Sequence, residues 1–427
     1  MLLVQEYLKT NTFGNLAKEH GVYASFSKTG HKFSLNYDQI EARESDPLAQ
    51  ECRGLVLALQ DGRPVLGELM PDGKLSRDNV EPGETVILAY PMKRFFNHGQ
   101  GCAAEINWSD YNLAVLEKMD GTLCIVYFDG FTDKWCCATR SVPEADLIMD
   151  NGIFTFRTLF EKALFDTCGL SFDEFTKQLN TNITYCFELT TPYNRIVVQY
   201  PDNRVTLLAA RSLGSLEEIE FHDLYAHKFV DGVYKNVPFD IAGVPVVKAY
   251  PVSTLTQLVE WVSSMNPLEH EGIVIRDSKF NRIKVKNAMY VAFSRARDTL
   301  GASDRNCLEL ILAEKDDDVL PAMPEEIANK VIIMKAMVRR FISDYDSIYK
   351  QILTDLSRVE NPTKKDFALL VQADSSTWQA PFFTMHGKGM TSIREFILSN
   401  KKEGTWSHGF LDKILGVLET YPKTVLV

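Results

Sequence analysis

The stretch that decides the fold is Lys118-Met119-Asp120-Gly121-Thr122, which separates an apolar run at residues 113–116 from a longer apolar segment at residues 123–128. The longer segment is rich in β-branched and aromatic residues and predicts a strand. Asp-Gly favours a tight turn, so a lysine that enters this turn is held on a rigid base. Taken alone, this K-x-D-G pattern has low specificity, and a surface hairpin turn is the simpler interpretation.

Three later stretches place charged residues on predicted strands: Phe187-Glu188-Leu189, Glu271-Gly272-Ile273-Val274-Ile275, and Arg282-Ile283-Lys284-Val285-Lys286. Because side chains alternate along a strand, Arg282, Lys284 and Lys286 share one face while the residues between them face the core. Three like charges on one strand face repel one another unless an anion lies there. The alternative interpretation is a solvated edge strand that is protected by its lysines.

Composition excludes several broad classes of protein. The chain has 427 residues, of which 45% are hydrophobic, 24% charged and 11% aromatic, as in ordinary globular proteins of two or three domains. The net charge of −11 argues against a protein coated with nucleic acid, although residues 279–297 hold six cations and no acid. No apolar run reaches the roughly 20 residues that span a bilayer, and the start lacks a secretory signal, so we expect a cytoplasmic protein. Eight cysteines without C-x-x-C spacing give no sign of a zinc or redox site.

Strand and helix patterns divide the chain into two parts. Strands are predicted at residues 55–59, 123–128, 184–188, 196–200, 205–210, 272–276 and 282–286, with helices at 154–165 and 255–265. They mix without regular β-α-β repetition, so the first part is predicted to be α+β. After about residue 298, helical spacing dominates at residues 325–359, 391–399 and 407–420.

In this order, the K-x-D-G, F-E, E-G-I-V and K-V-K stretches resemble the motifs of the covalent nucleotidyltransferases, a superfamily of DNA ligases, RNA ligases and mRNA-capping enzymes. Three further stretches narrow the resemblance: Glu51-Cys52-Arg53-Gly54, Pro91-Met92-Lys93-Arg94-Phe95-Phe96-Asn97, and Thr191-Pro192-Tyr193-Asn194-Arg195-Ile196-Val197. The set, over about residues 30–295, looks like the phage-type RNA ligases that repair cleaved tRNA (RNA ligase type 1). This resemblance implies an adenylyltransferase domain of antiparallel sheets with flanking helices at residues 1–297, including a family-specific N-terminal segment. The helical spacing after residue 298 predicts an all-α C-terminal domain at residues 298–427. No motif in it matches the family, so the tRNA preference of the family's domain is not carried over, and RNA specificity is only its expected role.

The resemblance also implies roles for individual residues. Lys118 matches the lysine that becomes adenylated, and Lys284 and Lys286 match the two lysines at the α-phosphate. Nucleotide-binding roles are implied for Arg53, Lys93, Arg94, Phe96, Glu117 and Glu188, metal-binding roles for Glu271 and Glu188, and supporting roles for Asp120, Gly121, Arg140 and Arg195. Family members usually carry lysine where Arg94 stands and an acid where Lys93 stands, so either side chain could contact phosphate. Their Lys-Gly pair is replaced here by Arg140-Ser141.

The implied reaction has three steps. Lys118 takes AMP from ATP, the AMP moves to an RNA 5′-phosphate, and a 3′-hydroxyl then joins the strands and releases AMP. A lysine with a pKa of about 10.4 must first lose its proton. We expect Lys284, Lys286 and Arg53, together with bound Mg²⁺, to depress the pKa of Lys118. Carboxylates suit Mg²⁺, for which Mn²⁺ could substitute.

The implied partners are ATP and RNA with 5′-phosphate and 3′-hydroxyl ends, with cleaved tRNA as a candidate. No membrane partner is expected, and we expect a monomer in the cytoplasm, or in the host cytosol if the protein is viral. Two alternatives stay open. A DNA ligase or capping enzyme would usually append an OB-fold of some five strands, whereas this tail is predicted to be helical. A catalytically inactive RNA-binding protein would be expected to lack one of the charged motif residues, and all of them are present.

Overall fold

The computed structural model describes residues 1–70, 75–149, 152–220, 225–230, 233–238, 240–294, 303–314, 316, 320, 325–374, 378–402 and 405–421. The chain divides into two compact units, Met1–Val291 and Ala292–Val427. The predicted domain boundary after residue 297 lies outside the described residues, as do Arg295 and Arg297 of the basic stretch.

The first unit combines short helices with many strands. Its helices are α1 (Leu3–Leu8), α2 (Phe13–His20), α3 (Pro47–Glu51), α4 (Phe156–Cys168), α5 (Phe172–Thr176) and α6 (Leu255–Ser264), with a 3₁₀ turn at Pro192–Asn194. Its strands are β1 (Val22–Phe26), β2 (Lys32–Tyr37), β3 (Arg53–Leu59), β4 (Glu68–Leu69), β5 (Leu75–Ser76), β6 (Thr85–Ala89), β7 (Phe96–Asn97), β8 (Ala114–Lys118), β9 (Thr122–Asp129), β10 (Lys134–Thr139), β11 (Ile183–Thr190), β12 (Arg204–Ser212), β13 (Tyr225–Val230), β14 (Val233–Pro238), β15 (Asp240–Ile241), β16 (Val244–Pro245), β17 (Ala249–Tyr250), β18 (Gly272–Arg276) and β19 (Arg282–Lys286).

The described strands form three larger sheets and three two-stranded ribbons. Sheet 1 has the order β1-β2-β3-β6, sheet 2 has β10-β9-β11-β12, and sheet 3 has β17-β8-β18-β19-β7. Pairing within sheets 1 and 2 is antiparallel, and in sheet 3 only the short β7 runs parallel to its neighbour, β19. The α+β class and the antiparallel sheets with flanking helices are therefore confirmed.

The period-2 pattern of the strands decides how the sheets pack. In β3, Leu55 and Leu57 join the core under α1 to α3, while Val56 and Ala58 pack on the other side against residues of sheet 2 such as Tyr127. The opposite face of sheet 2 is covered by α4 and α5, whose phenylalanines surround β11. Sheet 1 and sheet 2 thus share one apolar layer, and each has helices on its outer face.

Sheet 3 has one apolar face and one face that carries charged side chains. Apolar side chains of β8, β18 and β19 pack against Leu258 and Val262 of α6. The intervening positions place Lys118, Lys284 and Lys286 on the other face, because side chains alternate along a strand. In the register, Gly272 pairs with Lys118 on one side and with Lys286 on the other, so these residues form one row across the sheet.

The structure excludes the alternative interpretation of the K-x-D-G motif and contradicts one strand prediction. The K-x-D-G motif is not a hairpin turn, because β8 belongs to sheet 3 and β9 to sheet 2, so the motif is the crossover between two sheets. The strand predicted at residues 196–200 is irregular. Its β-favouring residues Val197 and Val198 donate their backbone N–H groups to Asp120 Oδ2, at 2.9 and 2.8 Å, instead of to a neighbouring strand.

The described part of the second unit is helical, as expected. Its helices are α7 (Asp304–Leu312), α8 (Glu325–Leu356), α9 (Lys364–Ala373), α10 (Ala380–Lys388), α11 (Ile393–Ser399) and α12 (His408–Leu418). The long α8 contributes Val338, Phe341 and Tyr345 to a core that also contains Phe382 and Trp406. In the parts of the chain that the structure describes, no helix is both long enough and apolar enough to cross a bilayer. All eight cysteines are free thiols.

Candidate active site

A cavity of about 480 Å³ in the first unit is lined by residues of sheet 2 and sheet 3. Arg53 reaches it from the start of β3, Lys118 from the end of β8, and Glu188 from β11. Gly121 and Arg140 also line it. Five of the residues expected at a nucleotide site, from stretches far apart in sequence, therefore meet around one space.

Glu271 joins the catalytic candidate to a second lysine. Its Oε2 accepts a hydrogen bond from Lys118 Nζ at 2.8 Å, and its Oε1 pairs with Lys286 Nζ at 2.7 Å. This bridge follows from the register, since Glu271 directly precedes Gly272 in the row between the two lysines. Gly272 has a φ of +146°, and a Cβ there would lie 2.1 Å from Val285 O, so only glycine allows this close approach.

The charge state of Lys118 differs from the expectation. Burial by itself lowers the pKa of Lys118, but the negative charges of Glu271 and Glu188 outweigh burial, and the pKa is raised. The expected depression by neighbouring cations was therefore wrong for the free protein. The reason is that a carboxylate contacts the ammonium directly, so its field dominates. The free site holds Lys118 as a cation.

Lys284 has the opposite environment. Burial lowers the pKa of Lys284 to about 7, and the charges of Lys286, Lys118 and Arg53 act in the same direction. Its Nζ lies 5.1 Å from the centre of the Phe95 ring, and no carboxylate of a described residue forms an ion pair with it. A half-buried lysine without an acidic partner marks a place where an anion would favour its charged form.

Arg282, the third cation of this strand face, is already neutralised. Its two terminal nitrogens donate to Glu218 Oε1 and Oε2 at 2.9 and 2.6 Å. Glu218 also accepts from Arg211 of β12 at 2.8 Å. The repulsion that the sequence predicted along β19 is thus relieved at both ends, by Glu218 at Arg282 and by Glu271 at Lys286, and it remains at Lys284.

Glu188 is a buried carboxylate whose pKa is raised. Burial raises the pKa of Glu188 to about 7, against the opposing effect of Lys118. Its Oε1 accepts a hydrogen bond from the backbone N–H of Gly121 at 3.0 Å. A Cβ at Gly121 would lie 2.3 Å from Leu189 O, so the glycine allows the crossover to pass directly against β11.

Asp120 anchors the crossover between β8 and β9 through hydrogen bonds to buried groups. Besides the N–H groups of Val197 and Val198, it accepts a hydrogen bond from Tyr290 OH at 2.5 Å. Its own N–H donates to Tyr200 OH at 3.1 Å, and only 2% of Asp120 is exposed. Asp120 therefore positions Lys118 through the backbone. The Asp120 carboxylate already accepts three hydrogen bonds within the protein.

Two arginines complete the cationic wall of the cavity. Arg53 is half-buried, its Nη1 is a buried nitrogen without a hydrogen-bond partner, and its guanidinium lies over the Phe95 ring at 5.6 Å. Arg140 lines the same cavity and lies 5.8 Å from the Tyr37 ring. Arg53 was predicted to contact phosphates and Arg140 to have a supporting role; both line the cavity, and these roles stay predictions.

Phe95 is a cavity residue that the sequence analysis missed. It lines the wall, whereas Phe96, the predicted contact, is 5% exposed and lies on β7 beside Ile283. Alternation along the Phe95-Phe96 pair shows that only one ring can face the site, but not which one.

The remaining candidates lie outside the 480 Å³ cavity or face away from it. Arg94 stacks between the rings of Tyr37 and Phe96, at 4.2 and 5.0 Å, and lines a neighbouring cavity together with Lys93. Only part of Glu117 lines the site, since its carboxylate lies 3.6 Å from His270 Nδ1. Arg195 donates its Nε–H to Val197 O at 3.1 Å.

The family and its relatives were identified by comparison with known proteins. A family model described as RNA ligase matches residues 51–290. The RNA ligase of Rhodothermus phage RM378 is 25% identical over 340 residues, which cover 68% of this chain and 76% of the phage protein. A protein of Autographa californica nuclear polyhedrosis virus, whose name combines a polynucleotide kinase with an RNA ligase, is 25% identical over 76% of this chain and 42% of its own length. An archaeal ATP-dependent RNA ligase structure covers 68% of this chain and 66% of its own, at 15% identity and a TM-score of 0.39.

Proposed function

The chain belongs to this family of RNA ligases and is an enzyme of that family, and from this premise we propose that it uses ATP to join RNA 5′-phosphate and 3′-hydroxyl ends. The reaction passes through a lysyl-AMP at Lys118 and then an RNA-adenylate. Family membership confirms the resemblance drawn from the motifs. The proposal extends to cleaved tRNA as substrate, to a monomer that acts in the cytosol, and to residues 1–297 as the adenylyltransferase and 298–427 as the RNA-specificity domain.

The observation that carries this proposal is the position of Lys118 among the other charges of the cavity. Its amine lies at the wall of a 480 Å³ space, which lies in the usual size range of small-molecule sites. Arg53 borders the same space, and Lys284 lies two residues from Lys286 on the same strand face. A nucleophile next to partly unpaired cations fits phosphoryl transfer, in which the protein mainly positions groups and neutralises charge.

In the first step, the Lys118 nitrogen attacks the α-phosphorus of ATP and pyrophosphate leaves on the opposite side. The ammonium must first lose its proton, and Glu271 Oε2, at 2.8 Å, is the acceptor in direct contact. Once the proton leaves, the amine is free to form the P–N bond. Lys284 and Lys286 would stabilise the charge that accumulates on the phosphate.

The donor set fits a magnesium ion that is bound mostly by substrate. The described residues contain no cluster of three or more metal-binding side chains. The charge of Glu271 nevertheless acts on Glu188 and contributes to its raised pKa. One or two carboxylates with substrate phosphates are a common Mg²⁺ environment. A bound Mg²⁺ would neutralise phosphate charge and compete with Lys118 for Glu271.

The two alternative functions find less support. An appended OB-fold would need about five strands, whereas the named elements in the described part of the second unit are helices. An inactive RNA-binding protein would not need Lys118, Glu271 and Lys286 to form one bridged group. This bridged group supports an active enzyme over an inactive binding protein.

The test is a sealing assay with single-stranded RNA that carries a 5′-phosphate, in the presence of Mg²⁺. We expect sealed RNA with ATP, and none with GTP or NAD. Lys118→Arg keeps the charge but is too weak a nucleophile, so it should abolish sealing, and Lys284→Ala should severely reduce it. Covalent labelling by GTP would contradict the proposal and favour a capping enzyme. Sealing by Lys118→Arg would also contradict the proposal, because it would exclude Lys118 as the nucleophile.

A further inference from the structure

A second cavity of about 620 Å³ adjoins the first, and Phe95 and Arg282 line both. Its other walls include Lys93, Arg94 and Lys279. Lys279 has no role in the motifs discussed above, and Lys93 was only one of two candidates for a phosphate contact. The cavity therefore extends from the two candidate nucleotide contacts, Lys93 and Arg94, to Lys279, which the first step of the reaction leaves without a role.

The charges in this second cavity favour an anion. Five cations and two carboxylates line it, but Glu218 is shared between Arg211 and Arg282. No carboxylate of a described residue forms an ion pair with Lys93, Arg94 or Lys279. This excess of positive charge is local, since the whole chain has a net charge of −11.

The turn between β18 and β19 fixes the backbone at Lys279, whose side chain is exposed. Asp277 Oδ1 accepts hydrogen bonds from the N–H groups of Lys279 and Asn281, both at 3.0 Å. Phe280 has a φ of +61°, which is rare for a bulky residue and persists only where the surroundings impose it. Phe280 lines the second cavity next to Lys279. The guanidinium groups of Arg276 and Arg282 lie 5.1 and 5.8 Å from the centre of its ring, so this aromatic ring is flanked by positive charge.

The order of residues along β19 shows where the second cavity lies relative to Lys118 and the predicted α-phosphate site. Lys286 lies in the same row as Lys118, Lys284 follows, and Arg282 lies at the border of the second cavity. At about 3.4 Å per residue, Lys286 and Arg282 are about 14 Å apart along β19. Lys284, a predicted contact of the α-phosphate, lies between them. In the second step Lys118 is the leaving group, so the attacking phosphate must approach from the side opposite to it.

We infer that the second cavity binds the 5′-phosphate end of the RNA during AMP transfer, with Lys279 contacting phosphate and Phe280 offering a stacking surface for the terminal base. This rests on the proposed function. An oxygen of the 5′-phosphate attacks the α-phosphorus of lysyl-AMP, and a P–O bond forms as the P–N bond breaks. The electron pair returns to the Lys118 nitrogen, which takes up a proton.

The test compares Lys279→Glu with Lys134→Glu, a matched charge change on an exposed lysine at the far end of β10. Each full-length protein is adenylated first, freed of ATP, and mixed with 5′-phosphorylated RNA in a single turnover. We expect Lys279→Glu to slow AMP transfer at low RNA concentration about tenfold more than it slows self-adenylation, because a charge-assisted contact becomes a repulsion. The Lys134→Glu protein should match the wild type in both steps.

A binding measurement separates RNA from the other source of phosphate, ATP. The adenylated wild type should bind RNA with a 5′-phosphate more tightly than the same RNA with a 5′-hydroxyl, and Lys279→Glu should lose that preference. Equal losses in self-adenylation and transfer would overturn the inference and assign the cavity to the leaving pyrophosphate. Normal transfer by Lys279→Glu would also overturn it while the proposed function stands. A wild type that forms no lysyl-AMP would overturn both.

Discussion

Replacing Asp120 should show how strongly the crossover between sheets 2 and 3 depends on one carboxylate. The side chain accepts three hydrogen bonds, from Val197 N–H, Val198 N–H and Tyr290 OH, and it is 2% exposed. Asp120→Ala leaves these donors buried without partners, at about 1–3 kcal/mol each. Because burial raises the pKa of Asp120, part of this loss is offset by removing a buried charge. We expect a net loss of about 3–5 kcal/mol.

Asp120→Asn is the matched control, because the amide oxygen can still accept from both valine N–H groups while its NH₂ faces the tyrosine hydroxyl. We expect a loss of about 1–2 kcal/mol for this change. Urea unfolding would measure both values, and hydrogen exchange would report protection of the Val197 and Val198 amides. Asp120→Ala within 1 kcal/mol of the wild type, with unchanged exchange at these amides, would refute the reasoning.

Three further changes test other contacts of the site. Glu271→Gln removes the charge that raises the pKa of Lys118, so the acid limb of the self-adenylation pH profile should move to lower pH; an unmoved limb would contradict the ion pair's role. Glu188 has its pKa raised from 4.5 to about 7, so folded protein retains a proton that unfolded protein releases, and stability of the free protein should fall by up to about 3 kcal/mol as pH rises through this window. Glu188→Gln should remove that slope in urea unfolding, and an equal slope in both proteins would assign it to another group. Gly121→Ala places a Cβ 2.3 Å from Leu189 O and should cost about 2 kcal/mol while reducing lysyl-AMP formation; normal labelling would show that the crossover can shift freely.

The strands of sheet 3 illustrate what local sequence can predict. Residues 272–276 and 282–286 were predicted as strands and form β18 and β19 with those bounds. Strict alternation of apolar and charged residues is a strong signal, because one face must pack on α6 and the other must not. The same pattern correctly placed Lys284 and Lys286 on a common face.

Contacts between distant segments were beyond that reasoning. Nothing in residues 282–286 indicates that Arg282 is neutralised by Glu218, because this partner lies 64 residues earlier in the chain, just after β12. The raised pKa of Lys118 depends on the register between β8 and β18, which local patterns do not define. Residues 196–200 were predicted to be a strand but are irregular, since hydrogen bonds to Asp120 override their strand propensity.

The most direct test of the central claim is to locate the AMP. The purified protein would be incubated with Mg²⁺ and α-labelled ATP without RNA, then denatured, digested and mapped by mass spectrometry. We predict one labelled site, with AMP joined through a P–N bond to Lys118, and no label in Lys118→Arg. Label on a different residue, or label that persists in Lys118→Arg, would contradict the account. A protein already adenylated during purification would be recognised by treating it with pyrophosphate before relabelling.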